Sequence, residues 1–345
     1  MTEKKTASVD YKQAGVDIAA GEQAVKNIKG RVRSTYNENV LSELGSFGGL
    51  YRMDKEAWDK PILVSSTDGV GTKLMVAIRA GIYDSVGQDL VNHCVNDILV
   101  QGAIPQFFLD YIGVGKLSVD VITSIVDGFV KACKENNCVL IGGEMAEMPG
   151  LYKEGDFDLA GTIIGLVEED YLLPRVSMQE GDVLLALPSS GLHTNGYSLA
   201  RKVLFEVMNL DVDSLLPGTD KTVGEALLAV HKSYLHELMP YLKDPGLRAL
   251  AHITGGGIAG NLSRVIPDHL QAQIKLDHDH IPPLFKVIQE GGNVSDEVMK
   301  QTFNLGIGMI LVLSKDLADK LHNSISARYL GEIISSDAKE RVMFR

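Results

Sequence analysis

What the chain lacks narrows it first. It has three cysteines, Cys94, Cys133 and Cys138, with no Cys-x-x-Cys pair. An odd, scattered set argues against a disulfide framework, and Cys94 and Cys133 fall in apolar helical patterns, so small core thiols are expected. No apolar run approaches the ~18 residues of a membrane span. The N-terminal stretch Met1–Ala7 is charged with no apolar segment behind it, unlike a secretory signal, so a cytoplasmic protein is expected. Positive charge is also short: 33 Lys and Arg stand against 45 Asp and Glu, a formal net charge of −12. That disfavours nucleic-acid binding as the main task, because a phosphate backbone needs a basic surface. Small anions remain open to the chain through backbone amides, Mg²⁺ and a few lysines. No fixed-period repeat or low-complexity tract is present.

What is there is ordinary globular material: 345 residues, 45% apolar and 23% charged. That length suggests two domains, or one large α/β domain. The first ten residues are polar and read as a frayed end. Strand-like runs are expected at 61–66, 106–113, 138–141, 159–167, 183–187, 249–253, 271–276, 306–313 and 328–334. Helical spacing covers 87–103, 118–136 (with Ser118 as N-cap), 196–208, 223–241, 284–290 and 314–324. The polar stretch 168–182, with Pro174 and Gly181, reads as a linker. Two α/β domains, 1–170 and 171–345, follow.

In the first half, two glycine-and-acid loops and one helix carry the candidate chemistry. Asp68-Gly69-Val70-Gly71-Thr72-Lys73 follows a buried strand; its glycines let backbone approach a ligand, and Lys73 has the length to reach a phosphate. The spacing is not that of a Walker loop. Asp89, His93 and Asp97 repeat at i, i+4, i+8 on one helix, a spacing that suits a transition metal but more often marks a solvated face, which is the expectation for Asp89 and His93. Asn92 and Asn96 flank them, and Asp97 stands with other acids near element ends. Gly142-Gly143-Glu144 again puts an acid after a strand. Asp68, Asp97 and Glu144 together would suit Mg²⁺, a hard ion that neutralises a transferring phosphoryl group.

In the second half, Ser189–Tyr197 crowds hydroxyls, His193 and Asn195 into one turn, and His193 is a candidate for proton transfer. His252–Gly260 contains Gly255, Gly257 and Gly260 in Gly-x-Gly-x-x-Gly spacing after a strand, with Asp277 about 20 residues on, as a dinucleotide site has. An NAD(P)-dependent oxidoreductase is therefore a rival class. The same glycines also suit a single phosphate at a helix N-terminus.

Taken in order, these motifs resemble the phosphoribosylformylglycinamidine cyclo-ligases, or AIR synthetases. The matching segments are Tyr11–Gly21, Phe47-Gly48-Gly49, Thr67–Lys73, Val95-Asn96-Asp97-Ile98, Phe107–Leu117, Gly142–Tyr152, Ser190–Ser198, His252–Gly257 and Phe303–Gly308. The resemblance implies ATP-dependent closure of formylglycinamidine ribonucleotide to aminoimidazole ribonucleotide, with ADP and phosphate released. It implies a two-domain α/β fold of the α+β type, a homodimer whose N-terminal sheets pair into a barrel, and ATP in the cleft. By motif match, Asp68, Asp97 and Glu144 hold Mg²⁺-ATP, with Gly69, Gly71, Thr72, Lys73, Asn96, Gly142, Gly143 and Lys29 around the nucleotide. Asp68, His193 and Lys29 are the catalytic candidates. Phe47, Gly48, Gly49, His193, Asn195, Thr254, Gly255, Gly256 and Gly257 are those for the ribonucleotide.

Some positions depart from that family's pattern. Met145 stands where threonine is usual and Thr194 where serine is. His231-Lys232 replaces Thr-Arg, and lysine cannot reproduce an arginine fork. Related ATP users include selenophosphate synthetase, thiamin-monophosphate kinase, a hydrogenase-maturation protein and the large amidine-forming ligase. The first would carry a reactive cysteine or selenocysteine in an N-terminal glycine loop, and Gly45–Gly49 has none. The last would need a far longer chain. A catalytically dead nucleotide-binding subunit is the third reading.

Overall fold

The computed structural model describes residues 10–345, so the polar stretch 1–9, read as a frayed end, lies outside the described residues. The first half runs α1 (Ile18–Arg33), β1 (Pro61–Gly69), α2 (Lys73–Ala80), α3 (Asp84–Leu99), β2 (Ile104–Val114), α4 (Val119–Glu135), β3 (Val139–Glu147) and β4 (Phe157–Glu168). Its four strands form one sheet in the order β1-β4-β2-β3. The β1/β4 and β2/β4 pairs are antiparallel and β2/β3 is parallel. Helices α3 and α4 pack together, α3 also lies against β1, β2 and β4, and α1 rides on α4.

The second half runs β5 (Val183–Pro188), α5 (Tyr197–Arg201) continuing as a π-helical turn over Lys202–Val207, α6 (Val223–Leu227), α7 (Leu235–Leu238), β6 (Leu247–His252), α8 (Gly257–Leu262), β7 (Leu270–Ile274), α9 (Pro283–Gly292), α10 (Asp296–Thr302), β8 (Ile307–Leu313), α11 (Lys315–His322), β9 (Arg328–Ser335) and β10 (Val342–Phe344). The sheet order is β10-β7-β9-β5-β8-β6, and all pairs but β10/β7 are antiparallel. Mixed, largely antiparallel sheets with helices packed on them make this an α+β arrangement.

Apolar packing explains the layers. Every residue of β8 is buried, because both faces of the second sheet are covered. Met309, Leu311 and Leu313 join a core that also takes in Leu90, Val95 and Ile98 of α3, so that core is continuous through both halves. Ile310 and Val312 face the other way, into a smaller core with Ile258, Leu262 and Ile274. Cys94, Cys133 and Cys138 are free and buried, as small core thiols should be. Among the described residues no helix is long and apolar enough to cross a membrane.

Most expected strands appear with small shifts of their ends. The helix expected over 223–241 does not: it breaks into α6 and α7 around an extended strap, 228–234. The cause is tertiary. Polar side chains of α3 take up the strap's backbone groups, and a helix would have used those groups itself.

Glycine is required where β4 crosses the core. A Cβ on Gly161 would stand 2.2 Å from Phe108 Cζ, and Phe108 is fully buried. Gly161→Ala is expected to lower stability by about 1–3 kcal/mol. Urea unfolding of the variant measures this; an unchanged midpoint would show that the sheet yields freely there.

Candidate functional site

The sheet edges and loop ends bring two sets of residues together. The first set lies at the seam between the halves and is organised by α3. That helix contains no Lys, Arg or Glu from Asp84 to Leu99, and Asp89, Asn92, His93 and Asn96 are all buried. The solvated face expected for Asp89 and His93 is therefore corrected: it is an internal polar face. It grips the strap bond by bond. His231 N–H donates to Asp89 Oδ1 (2.7 Å), and Asn92 Nδ2 donates to the His231 carbonyl (2.7 Å). Asn96 Nδ2 donates to the Lys232 carbonyl (2.8 Å), while Tyr234 N–H donates to Asn96 Oδ1 (3.0 Å).

Lys73 belongs to this grip. It is fully buried, its Nζ sits 2.7 Å from Asp89 Oδ2, and it donates to the Ala229 carbonyl at 2.8 Å. Burial pushes the Lys73 ammonium down and the Asp89 carboxyl up, against their mutual attraction. The expectation that Lys73 reaches a phosphate is corrected: its charge is already committed inside the protein.

Four imidazoles meet beside the strap. His93 Nε2 lies 3.0 Å from Asp68 Oδ2 and 3.6 Å from Asp97 Oδ2, and its Nδ1 is 2.7 Å from Thr194 Oγ1. His252 Nδ1 is 2.8 Å from Asp97 Oδ1, and its Nε2 is 3.0 Å from His231 Nε2. His193 stacks on His231 with centroids 3.9 Å apart. Burial opposes charge on His93, but the hydrogen bond to Asp68 and the charges of Asp97 and Asp68 outweigh it and raise its pKa. Asp68 also feels burial first, yet its bond to His93 leaves its carboxyl below the usual range. His193 and His231 carry no facing carboxylate, and burial holds both neutral, well below the usual imidazole range.

Backbone geometry makes room for this cluster. His193 sits in the left-handed region, at φ 60°. A Cβ on Gly308 would be 1.9 Å from the Tyr234 hydroxyl and 2.6 Å from His193 Cε1, so glycine alone fits between them. Tyr234 is fully buried and donates to the Pro188 carbonyl at 2.9 Å.

The sequence-expected residues divide as follows. Asp68, Gly69, Gly71, Thr72, Asn96 and Asp97 reach the seam from the first half, and His193, Asn195 and Thr254–Gly257 reach it from the second. Thr72 Oγ1 lies 3.1 Å from Ser198 Oγ, and a Cβ on Gly255 would stand 3.2 Å from Asn195 Oδ1. Gly256 and Gly257 have φ of 94° and 64° and turn the chain into α8, and Asn261 Nδ2 holds that turn through the Thr254, Gly255 and Gly257 carbonyls.

Lys29, Phe47, Gly48, Gly49, Gly142, Gly143 and Glu144 lie elsewhere. Lys29 is exposed on α1, Phe47 is fully exposed, and Glu144 is on β3, next to a small apolar cavity lined by Val25, Ile28, Leu44 and Ile122. Asp68, Gly161, Asp110 and Gly143 form one row across the sheet. Three strand spacings of ~4.8 Å separate its ends by about 14 Å, and strand alternation turns Glu144 to the other face. Within one chain, then, Asp68 and Asp97 converge and Glu144 does not join them.

Sequence reasoning missed His252 and His231 as parts of the cluster and misplaced His93. The usable signal was the absence of long charged side chains along α3, which a solvated helix would carry. The dinucleotide reading fails on topology. β6, which leads to the glycine loop, is an edge strand paired antiparallel to β8, and β7, which leads to Asp277, lies four strands away. Asp277 rims a broad depression with Lys275, Tyr329 and Arg345 and pairs with His280.

Known proteins resemble both halves of the chain. Residues 52–167 match the N-terminal domain of AIR synthase related proteins and 179–342 the C-terminal domain. A phosphoribosylformylglycinamidine cyclo-ligase of Trichlorobacter lovleyi is 47% identical over 93% of this chain and 92% of its own length. The chain belongs to the phosphoribosylformylglycinamidine cyclo-ligase family. Membership makes it a ligase of purine biosynthesis. The enzyme of Geobacter sulfurreducens is 48% identical over 90% of this chain and 89% of its own. A bifunctional purine biosynthetic protein of Dictyostelium discoideum, purD, is 47% identical over 98% of this chain, which spans 43% of that longer protein. The fold is also that of thiamine-monophosphate kinase from Stenotrophomonas maltophilia (TM-score 0.68, 17% identity, 92% of this chain and 95% of that one). Hydrogenase maturation protein HypE, solved in complex with ATP, has the same fold (TM-score 0.64, 18% identity, 94% and 90%).

The buried ion pair gives a direct test. Lys73→Met leaves Asp89 uncompensated and is expected to lower stability by roughly 3–5 kcal/mol, whereas adding Asp89→Leu should restore much of it. Thermal unfolding of both variants measures this. A Lys73→Met protein as stable as wild type would mean the pair does not hold the strap.

Proposed function

We propose that this chain binds ATP at the seam and closes the imidazole ring of aminoimidazole ribonucleotide, with the two domains divided at residue 170. The convergence of Asp68 and Asp97 at the end of β1, facing the His193–Asn195 and Thr254–Gly257 loops, carries this reading. An amide oxygen is a poor leaving group. ATP converts the formyl oxygen of formylglycinamidine ribonucleotide into a phosphate ester, giving ADP. The neighbouring amidine nitrogen then attacks that carbon, phosphate leaves, and a proton is lost from the nitrogen. The protein's contribution is to hold two anions in register and exclude competing water, and no covalent nucleophile is needed.

Residue roles follow from charge and position. Asp68 and Asp97 have side chains 41% and 24% exposed, and their oxygen donors fit a divalent cation. Mg²⁺ bound there would supply neutralisation of phosphate charge. Gly69, Gly71 and Thr72 offer backbone N–H groups and a hydroxyl beside it. His193 keeps its assignment to proton transfer on motif match. Asn195 and the Thr254–Gly257 turn suit the ribonucleotide's polar groups. We assign Lys29, Gly142, Gly143 and Glu144 to the far end of the nucleotide, a reading supported by the apolar cavity beside them. Phe47–Gly49 keeps its assignment to the ribonucleotide on motif match alone.

The test is direct. Protein mixed with formylglycinamidine ribonucleotide, Mg²⁺ and ATP should release ADP and a diazotisable aminoimidazole in equal amounts, and Asp68→Asn should lose most of both. ADP without aminoimidazole would reject the substrate, and neither product would reject the reaction. NAD(H) should leave the unfolding temperature unchanged, whereas Mg²⁺-ATP at ~100 times its dissociation constant should add about 2.7 kcal/mol of stability.

A cytoplasmic homodimer completes the proposal. It is supported by the face of the first sheet opposite α3: Leu63 is 70% exposed on β1, and Phe107 and Leu109 alternate with buried Phe108 on β2. Sedimentation should give twice the 37.4 kDa chain mass, and Leu63→Glu should shift the protein towards a single chain. A single-chain mass for the wild type would reject the pairing.

A further inference from the structure

The seam holds more nitrogen than a magnesium site needs. The donors around the two carboxylates come from three elements. Asp68 ends β1, His93 and Asp97 are one helical turn apart on α3, and His252 ends β6. The donor atoms of His93, Asp97 and His252 lie within 4.8 Å of one another. Neighbouring donors are 3.0 Å (His93 Nε2 to Asp68 Oδ2), 3.6 Å (His93 Nε2 to Asp97 Oδ2) and 2.8 Å (His252 Nδ1 to Asp97 Oδ1) apart. Two adjacent ligands on bonds of ~2.0–2.2 Å, at angles from about 90° to about 109°, stand about 2.8–3.6 Å apart, so these spacings are those of a coordination shell.

The outer bonds set the right tautomers. His93 Nδ1 faces Thr194 Oγ1 at 2.7 Å, so with an N–H there an incoming ion replaces the proton that Nε2 shares with Asp68. His252 Nε2 faces His231 Nε2 at 3.0 Å, so an N–H there leaves the Nδ1 lone pair towards Asp97. His231 Nδ1 in turn faces Thr194 Oγ1 at 3.4 Å. Metal-binding histidines are oriented by such outer partners. Asp68 and Asp97 keep part of their surface open to solvent, so an ion can reach them.

We propose that Asp68, His93, Asp97 and His252 form a mixed nitrogen and oxygen site for a borderline divalent ion such as Mn²⁺, Co²⁺ or Zn²⁺, with Mg²⁺ the weaker occupant. Imidazole suits those ions, whereas Mg²⁺ favours oxygen and gives up water reluctantly. The inference deepens the reading of Asp68 and Asp97 as a cation seat and rests on it. It adds two ligands and predicts an order of preference.

The experiment is pulsed electron paramagnetic resonance of Mn²⁺ bound to the untagged, nucleotide-free full chain, with binding measured by titration. One Mn²⁺ per chain is expected, bound at least tenfold more tightly than Mg²⁺ competes for it, with nitrogen modulation from directly bonded imidazole. His93→Gln and His252→Gln should each weaken the modulation, and the double variant should abolish it while the carboxylates still hold Mn²⁺ less tightly. The wild-type spectrum decides the matter even if a variant fails to fold. Mn²⁺ bound with no nitrogen modulation would overturn the mixed site and leave the ring-closure reading intact. No Mn²⁺ binding by protein that still closes the ring would overturn it as well. Absence of both Mn²⁺ binding and ring closure would overturn this inference and the proposed reaction together.

Discussion

Everything at the seam depends on the grip of α3 on the strap 228–234. A buried helix normally presents aliphatic side chains to its neighbours. Here one face presents Asp89, Asn92 and Asn96, and these side chains satisfy the backbone of the strap as a paired strand would. Each buried polar group is costly to leave unpaired, so the helix and the strap have one productive register. The Lys73–Asp89 pair locks the same register from β1's following helix. Its value lies in specificity of docking more than in net stability, since two apolar residues could fill the space.

That register decides the chemistry. It brings His231 under His193 and against His252, and so ties the ends of β5 and β6 to Asp97 of α3 and, through His93, to Asp68 at the end of β1. The two halves share one apolar core, which leaves little slack for the cluster to open as a hinge. The departure from the family pattern at His231-Lys232 has a structural meaning in this setting. His231 is an internal partner for His252, and Lys232 turns outward to Glu237 at 2.8 Å.

Sheet order imposes the other constraint. Because β4 and β2 lie between β1 and β3, the acid after β1 and the acid within β3 are held apart by a rigid sheet. A third carboxylate for the Asp68–Asp97 pair cannot come from Glu144 of the same chain without breaking strand pairing. Within the chain the shell is completed by imidazole instead.

Local pattern was enough for much of this protein. Strands such as 183–187 and 306–313 are continuous apolar runs, and such runs pack between two layers whatever their neighbours are. The amphipathic spacing of 119, 122, 125, 126, 129 and 133 makes α4 helical and gives it one buried face for the same reason. The ordered series of glycine and acid motifs was also enough to place the chain in its family, because that likeness is carried by residues in linear sequence. Tertiary structure alone decided that α3 has no solvated face, that 223–241 breaks, that Lys73 is buried, and that Glu144 stands apart from Asp68. Each of these turns on a partner far along the chain, as Asp89 is from His231 and β1 is from β3. A window of neighbouring residues has no access to the groups that satisfy, or displace, a buried charge.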